Sequence, residues 1–474
     1  MVRSTSLPAK VVPMLAHESL YVGIDVGKHG HVAGFVSTTL LQRHERFEGC
    51  PVFAFEQSRE GFRRLIERIE AYVPLAQCFV LLEKTGHYHL ALVQYLLELD
   101  LSVYLMHVQT RPKGLLKTDK RDALVLANHL YNQLDKGVQF AEKTQLVHRA
   151  VPPTEAASQL RSLIRHRYEL VHEATRRKNK LIAIADELFP ELGRVVKETS
   201  GAAILAIREH FPTPQALAAA SLEAVCARRI DGHHPSAKQL ALLQDLARTS
   251  IGSKDVGRIR GLIVEQRQLI RELRLLQSHT QELETEIRHI LAQSREGRIL
   301  LSIPAIGPME AAAMIAVIGH IDNFSSAAAL RSYFGWAPQV RQSGDTIDQT
   351  HLTKMGNRLM RHMMFLVVST AIRQDCEWAR IYERLVPLKC SYDERTKQYK
   401  GKIKVMGRIA GQIITTVYAL LKRDADVVRE WPSGKPLPEP QLYDPLVHKA
   451  HREGHYQAAK PKRLRGTITH LPNT

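Results

Sequence analysis

Four carboxylates and one serine carry the chemistry open to this sequence of 474 residues. Asp25 stands in Leu20-Tyr-Val-Gly-Ile-Asp-Val-Gly-Lys28, whose β-branched and aromatic residues between glycines read as a β-strand. A lone charge on a buried strand is costly unless it is paired or binds a metal, so Asp25 is a surface accident or a ligand. Glu83 closes the apolar run Phe79 to Leu82 and precedes Lys84-Thr-Gly-His-Tyr88, which puts it at a strand's carboxyl end, where α/β folds bind ligands. Asp119 and Asp122, in Lys117-Thr-Asp-Lys-Arg-Asp-Ala123, open a predicted helix three residues apart, so they share a face with Cβ atoms about 5–6 Å apart. Hard oxygen ligands drawn from several elements are what a two-metal phosphoryl-transfer site needs, its ions about 3.5–4 Å apart. Each acid also has a plain structural reading: Glu83 as a helix-start charge, Asp119 as an N-cap beside Thr118, Asp122 paired with Arg121 or Lys120. Their joint placement in a basic protein favours the site.

Ser343 lies beside Gly344 in a predicted loop, preceded by Arg341, and Lys354, Arg358 and Arg361 are expected at i, i+4 and i+7 of the next helix. These four cations are the candidate nucleic-acid contacts. A serine becomes a phosphoryl nucleophile when cations hold the phosphate and a base or metal takes its proton; otherwise a serine beside glycine is a turn former. The stretch Leu301 to Glu310, followed by apolar Ala311 to Ile318, resembles a helix-hairpin-helix that aims backbone N–H groups at a phosphate, with Ala305 where glycine is usual. A plain helical turn is the alternative. His29, His31, His87 and His89 lie near the acids, but no His-Glu-x-x-His pattern supports zinc.

Lysine and arginine number 66 against 48 acidic residues, a net charge of +18, which points to a polyanionic partner such as nucleic acid. Five scattered cysteines, never in a Cys-x-x-Cys pair, suit a reducing cytosol. No apolar run reaches the length of a signal peptide core or a membrane span, so membrane and secretion are set aside.

The elements that must position these residues fall into regions. Residues 1–18 read as a flexible start. Residues 19–150 read as a mixed α/β sheet covered by helices, with three strands expected within 20–47, a helix at Arg59 to Val73, a strand at Cys78 to Leu82, a helix at His87 to Leu97 and a strand at Leu101 to Leu105. Residues 151–296 are helical. Leu160, Leu163, Leu170, Ala174, Leu181, Ile184 and Leu188 keep a three-four spacing interrupted by Arg167 and Arg177, and Leu262 to Ile290 hold a second such run. An antiparallel coiled-coil pair, a dimerisation arm or an ordinary helical bundle would each use them. Residues 297–430 read as a further, mostly helical region, and 431–474 as a disordered basic tail with several prolines, either a nucleic-acid arm or a solvated end.

The motifs Ile24-Asp-Val-Gly-Lys28, Leu82-Glu-Lys-Thr-Gly-His-Tyr88, Lys117 to Ala123, Ile303-Pro-Ala-Ile-Gly-Pro308 and Gln342-Ser-Gly344 with Lys354-Met-Gly-Asn-Arg358 occur in the order and spacing of the DEDD transposases of bacterial insertion sequences. The resemblance covers about residues 20–424, and it is the five motifs together that are specific. It implies an α/β RuvC-like (RNase H fold) amino-terminal domain, a coiled-coil insert and a carboxyl-terminal transposase domain. Asp25, Glu83, Asp119 and Asp122 would then bind Mg²⁺, Ser343 would be the nucleophile, and the bacterial, cytoplasmic protein would recombine DNA as a homodimer or homotetramer guided by a structured bridge RNA. A hydrolytic RuvC-like junction nuclease using the same acids is the alternative. Gly23-Ile-Asp-Val-Gly27 also resembles the first phosphate loop of sugar-kinase and actin-like ATPases, but the sequence has no second such loop. A non-catalytic nucleic-acid scaffold is disfavoured by four intact acids.

Overall fold

The computed structural model describes residues 18–84, 86–106, 118–138, 147–227, 235–343, 347–353 and 355–446. The chain forms two compact units, Met1–Thr154 with Gly319–Ser325, and Glu155–Ile318 with Ser326–Thr474.

Unit one runs β1 (Leu20–Val26), β2 (Gly30–Val36), α1 (Thr38–His44), β3 (Val52–Glu56), α2 (Arg59–Glu70), β4 (Cys78–Glu83), α3 (His89–Glu98), β5 (Ser102–Met106), α4 (Asp119–Leu134) and β6 (His148–Arg149). The sheet order is β3-β2-β1-β4-β5-β6; β1 is antiparallel to β2 and parallel to β4, which is parallel to β5. Only two strands lie within 20–47, where three were expected. The Ser37 hydroxyl accepts the Leu40 N–H and caps α1, so the third strand is delayed to Val52–Glu56. Helix α2 starts at a Ser58 cap and buries Phe62, Leu65, Ile66 and Ile69 at the expected three-four spacing. It covers one face of the sheet, where the Phe62 ring lies 6.1 Å from His31 and 6.4 Å from Phe55. Helix α4 covers the other.

Unit two is built on α5 (Glu155–Leu188) and α11 (Val256–Gln293), helices of 34 and 38 residues. At 1.5 Å per residue each is about 50 Å long or more. Arg167 pairs with Glu284, Arg177 with Glu272, Lys180 with Glu265 and Arg258 with Glu187, so one index falls as the other rises and the helices are antiparallel. The arginines that interrupt the apolar seam are therefore matched by acids on the facing helix. Between them α6 (Leu192–Val195), α7 (Ala202–His210), α8 (Pro214–Ala219), α9 (Leu222–Cys226) and α10 (Ala237–Arg248) close a small core. Buried Arg208 donates to Gln266 Oε1 and to the carbonyls of Thr199 and Leu181, locking α7 to both long helices.

The rest of unit two comprises α12 (Arg295–Leu301), α13 (Pro308–Ile318), α14 (Ala327–Tyr333), the hairpin β7 (Pro338–Ser343) and β8 (Ile347–Leu352), α15 (Arg358–Ala371), α16 (Glu377–Lys389), the ribbon β9 (Ser391–Asp393) and β10 (Gln398–Lys400), and α17 (Ile403–Glu430). In the α12–α13 turn the Ile306 N–H donates to the Ile303 carbonyl, and Ala305 has φ +69°, a left-handed conformation that favours glycine. Ala305→Gly is expected to raise unfolding stability by about 1 kcal/mol, read by urea denaturation, because the methyl is held where L-residues pay about that much. A loss of stability would show that this turn is not strained.

Residues 431–446, expected as the start of a disordered tail, are instead tied down. Arg295 donates to the Pro438 carbonyl at 2.6 Å while pairing with Asp424, the Tyr443 N–H donates to Ser302 Oγ at 2.9 Å, and Tyr443 stacks on Trp378. Buried aromatic and backbone contacts there outweigh the prolines that suggested disorder. Residues 447–474 lie outside the described residues.

Candidate active site

Strand β1 sits in the middle of its sheet, with Tyr21, Gly23 and Asp25 on one face by the two-residue period of a strand. Gly23 is registered with Gly34 on β2, so two residues without side chains form a flat floor. Helix α4 lands on that floor. A Cβ on Gly23 would sit 2.2 Å from both Ala123 O and Ala127 N, and one on Gly34 would sit 2.8 Å from Leu124 N. Farther along α4 the Tyr131 ring meets Tyr21 edge-on at 5.4 Å, and the Tyr21 hydroxyl donates to Asp135 at 3.1 Å. Burial, reinforced by Asp135, pushes the Tyr21 phenol up to about 12, so it remains a donor. Because Ala123 lies over Gly23 and Asp135 over Tyr21, α4 runs opposite to β1. Its first turn therefore reaches the carboxyl end of β1, where Asp25 stands.

The parallel register of β1 with β4 pairs Gly23 with Leu81, which puts Glu83 on the same face as Asp25 at the neighbouring strand end. Asp25 and Glu83 are half-buried, Asp122 is 4% exposed and Asp119, in the first turn, is exposed. The N-cap of α4 is Thr118, whose side chain accepts the Arg121 N–H, so Asp119 does not cap the helix. Three of the acids thus share one end of one face, with the fourth a turn away. The donor set is all carboxylate, which suits a hard divalent cation. Among the described residues, however, no three His, Cys, Asp or Glu groups stand close enough to hold a metal ion.

The histidines follow a different logic. His31 is buried on the α2 face beside Phe55, hydrogen-bonded to Gln57, and burial lowers its pKa, so it is a neutral core group.

In unit two Ser343 is the last residue of β7, registered with Ile347, and Arg341 is registered with Gln349. The serine expected in a loop thus ends a strand. The base of the hairpin is fixed against α17: Arg331 donates to the Trp336 and Gly407 carbonyls, and Leu352 packs where Gly407 has no side chain. The expected stripe of Lys354, Arg358 and Arg361 on one helix is not formed, because Asn357 caps α15 and the helix begins at Arg358. Lys354 lies outside the described residues. Arg358 is exposed in the first helical turn. Arg361 lies across Gly335 and donates to the Met355 carbonyl at 2.6 Å, so part of its guanidinium anchors the 335–356 crossing.

The sequence reading named the acids as candidates and missed what positions α4 and the β7–β8 hairpin: the opposed Gly23 and Gly34 and the Tyr21–Asp135 tether for the first, Arg331 with Gly407 for the second. Two glycines in adjacent strands were the available signal. Their meaning needs the register.

Acids at adjacent strand ends of one sheet and a strongly basic chain are features that a nucleic-acid-processing protein would use. A family model for a transposase, of the DEDD type named for IS110, matches residues 22–190, and a second, for the transposase IS116/IS110/IS902 family, matches residues 297–383. The chain is 26% identical over 331 residues to the insertion element IS110 uncharacterized 43.6 kDa protein of Streptomyces coelicolor, covering 68% of this chain and 75% of that protein. It is 25% identical over 265 residues to the insertion element IS116 uncharacterized 44.8 kDa protein of Streptomyces clavuligerus, covering 55% and 62% respectively. The chain belongs to the DEDD transposase family of insertion sequences, whose two matched regions together span more than half of it. Membership implies a DNA-processing enzyme with DNA as its partner. Among the described residues no helix is long and apolar enough to cross a membrane.

Proposed function

We propose that the protein is a bacterial, cytoplasmic recombinase that cleaves and rejoins the ends of its insertion element by phosphoryl transfer. In this reading unit one is a RuvC-like domain of the RNase H fold, supported by the order β3-β2-β1-β4-β5 with three antiparallel strands followed by two parallel ones. Asp25, Glu83, Asp119 and Asp122 would hold Mg²⁺, which would supply neutralisation of charge on the scissile phosphate. The observation that carries this is that Asp25 and Glu83 end neighbouring strands on the face covered by α4, whose first turn lies at that same end. Ser343 Oγ gives up its proton and bonds to phosphorus as the bond to the deoxyribose oxygen breaks; that oxygen leaves as a hydroxyl. A second strand's hydroxyl then attacks the phosphoserine and releases the serine, so the number of phosphodiester bonds is conserved and no ATP is used. Arg341, Lys354, Arg358 and Arg361 hold backbone phosphates. Arg358 supports this, since a cation in the first turn of a helix is opposed by the helix dipole and gains from an anion. The working form is a homodimer or homotetramer that combines acids and serine from different protomers on one phosphate.

Target choice belongs to a structured bridge RNA in this reading. Protein purified from cells carrying the whole element is expected to have a high 260/280 nm absorbance ratio that falls on RNase treatment. A ratio typical of protein alone, unchanged by RNase, would contradict RNA guidance while leaving the phosphoryl-transfer site intact.

A further inference from the structure

From Arg395 to Arg423 the sequence holds eight lysines and arginines and no aspartate or glutamate. This stretch lies beyond both regions matched by the family models. It begins in the β9–β10 ribbon and continues into α17, and it exposes Arg395, Lys397, Lys400, Lys404 and Arg408.

The ribbon is built to be stiff. Tyr392 and Tyr399 are registered across it with rings 5.0 Å apart, and Asp393 accepts the Arg395 N–H at 3.0 Å and pairs with Lys400 at 2.6 Å, closing a turn in which Lys397 takes φ +50°. Asp393 is thus committed to building the turn that presents the cations. Helix α17 buries Val405, Met406 and Ile409, which leaves Lys404 and Arg408 one turn apart on its outer side. Cations at a helix amino terminus oppose the helix dipole and repel one another, so this clustering costs stability unless an anion answers it.

We propose that the β9–β10 ribbon and the first two turns of α17 form a contact for the phosphate backbone of duplex DNA. A two-stranded ribbon is of a size that the DNA major groove admits, and the lysines and arginine continuing from it along α17 neutralise the flanking phosphates. The inference rests on the DNA partner that family membership implies, and it needs neither the metal nor Ser343.

The test measures binding of a short random-sequence DNA duplex by fluorescence anisotropy over a salt series in EDTA, for the full chain and for a Lys397→Gln/Lys404→Gln/Arg408→Gln variant. The slope of log affinity against log salt is expected to flatten by about two to three, since each neutralised phosphate contact contributes about 0.9. Affinity near physiological salt is expected to fall by about tenfold or more, and Lys397→Arg/Lys404→Arg is expected to retain both. A variant that melts like the parent and keeps the parent's slope would overturn the proposal, as would a loss confined to an RNA duplex or a changed oligomeric state with DNA binding intact. Failure of the parent chain to bind duplex DNA would instead remove the DNA reading as a whole.

Discussion

Asp25→Asn is expected to lower strand cleavage of element-end DNA by about 10³-fold while leaving the melting temperature unchanged or higher. The amide keeps the size of the side chain and removes a charge from a half-buried position on a central strand, where relief from desolvation offsets the loss of any charge-dependent contact. What is lost is a hard anionic donor, which an amide oxygen replaces poorly. Asp122→Asn and Asp119→Asn should show a graded effect. Asp122 is buried against the sheet and Asp119 is exposed a turn earlier, so the first substitution is expected to cost more. Cleavage is read on labelled duplex by denaturing gel, and thermal unfolding by circular dichroism. An Asp25→Asn protein with full activity would make the carboxylate structural.

The second large effect is on folding. Gly23→Ala is expected to destabilise unit one by about 3 kcal/mol or more, at the upper end of overpacking costs. The added methyl would lie 2.2 Å from Ala123 O and Ala127 N, the two atoms of an α-helical hydrogen bond, and a backbone cannot move aside as a side-chain tip can. If α4 lifted off to make room, its first turn would leave the strand end and activity would fall with stability. Gly30→Ala is the control. There the nearest atom, Phe55 O, is 3.4 Å away, and the change should stay within about 1 kcal/mol. Urea unfolding of both variants separates a real helix landing from a general intolerance of alanine in the sheet, and equal effects would refute the landing.

Asp25 and Glu83 were legible because a strand's residue types and its carboxyl end are local properties, and the seam of α5 and α11 was legible because it is periodic. Even the misplaced charges in that seam resolve once the antiparallel pairing supplies Glu284 and Glu272 opposite Arg167 and Arg177. The direction of α4 was not legible. It depends on which residues of a helix meet which residues of a strand about 100 positions away, and nothing between Gly23 and Ala123 encodes that locally. The helix at Thr38–His44 was missed because its signal is a single capping serine. Likewise Lys354, Arg358 and Arg361 have helical spacing on paper, but Asn357 starts the helix between them.

The acids and Ser343 lie in different units, so joint action on one phosphate requires that they be brought together. Covalent trapping separates the two outcomes: element-end DNA labelled on one strand is incubated with the protein, the proposed guide RNA and Mg²⁺, then denatured and run beside protease-treated samples. The expected result is a protein–DNA adduct that protease removes, absent with Ser343→Ala and strongly reduced with Asp25→Asn. Cleaved DNA without any adduct, or an adduct that persists in Ser343→Ala, would contradict it.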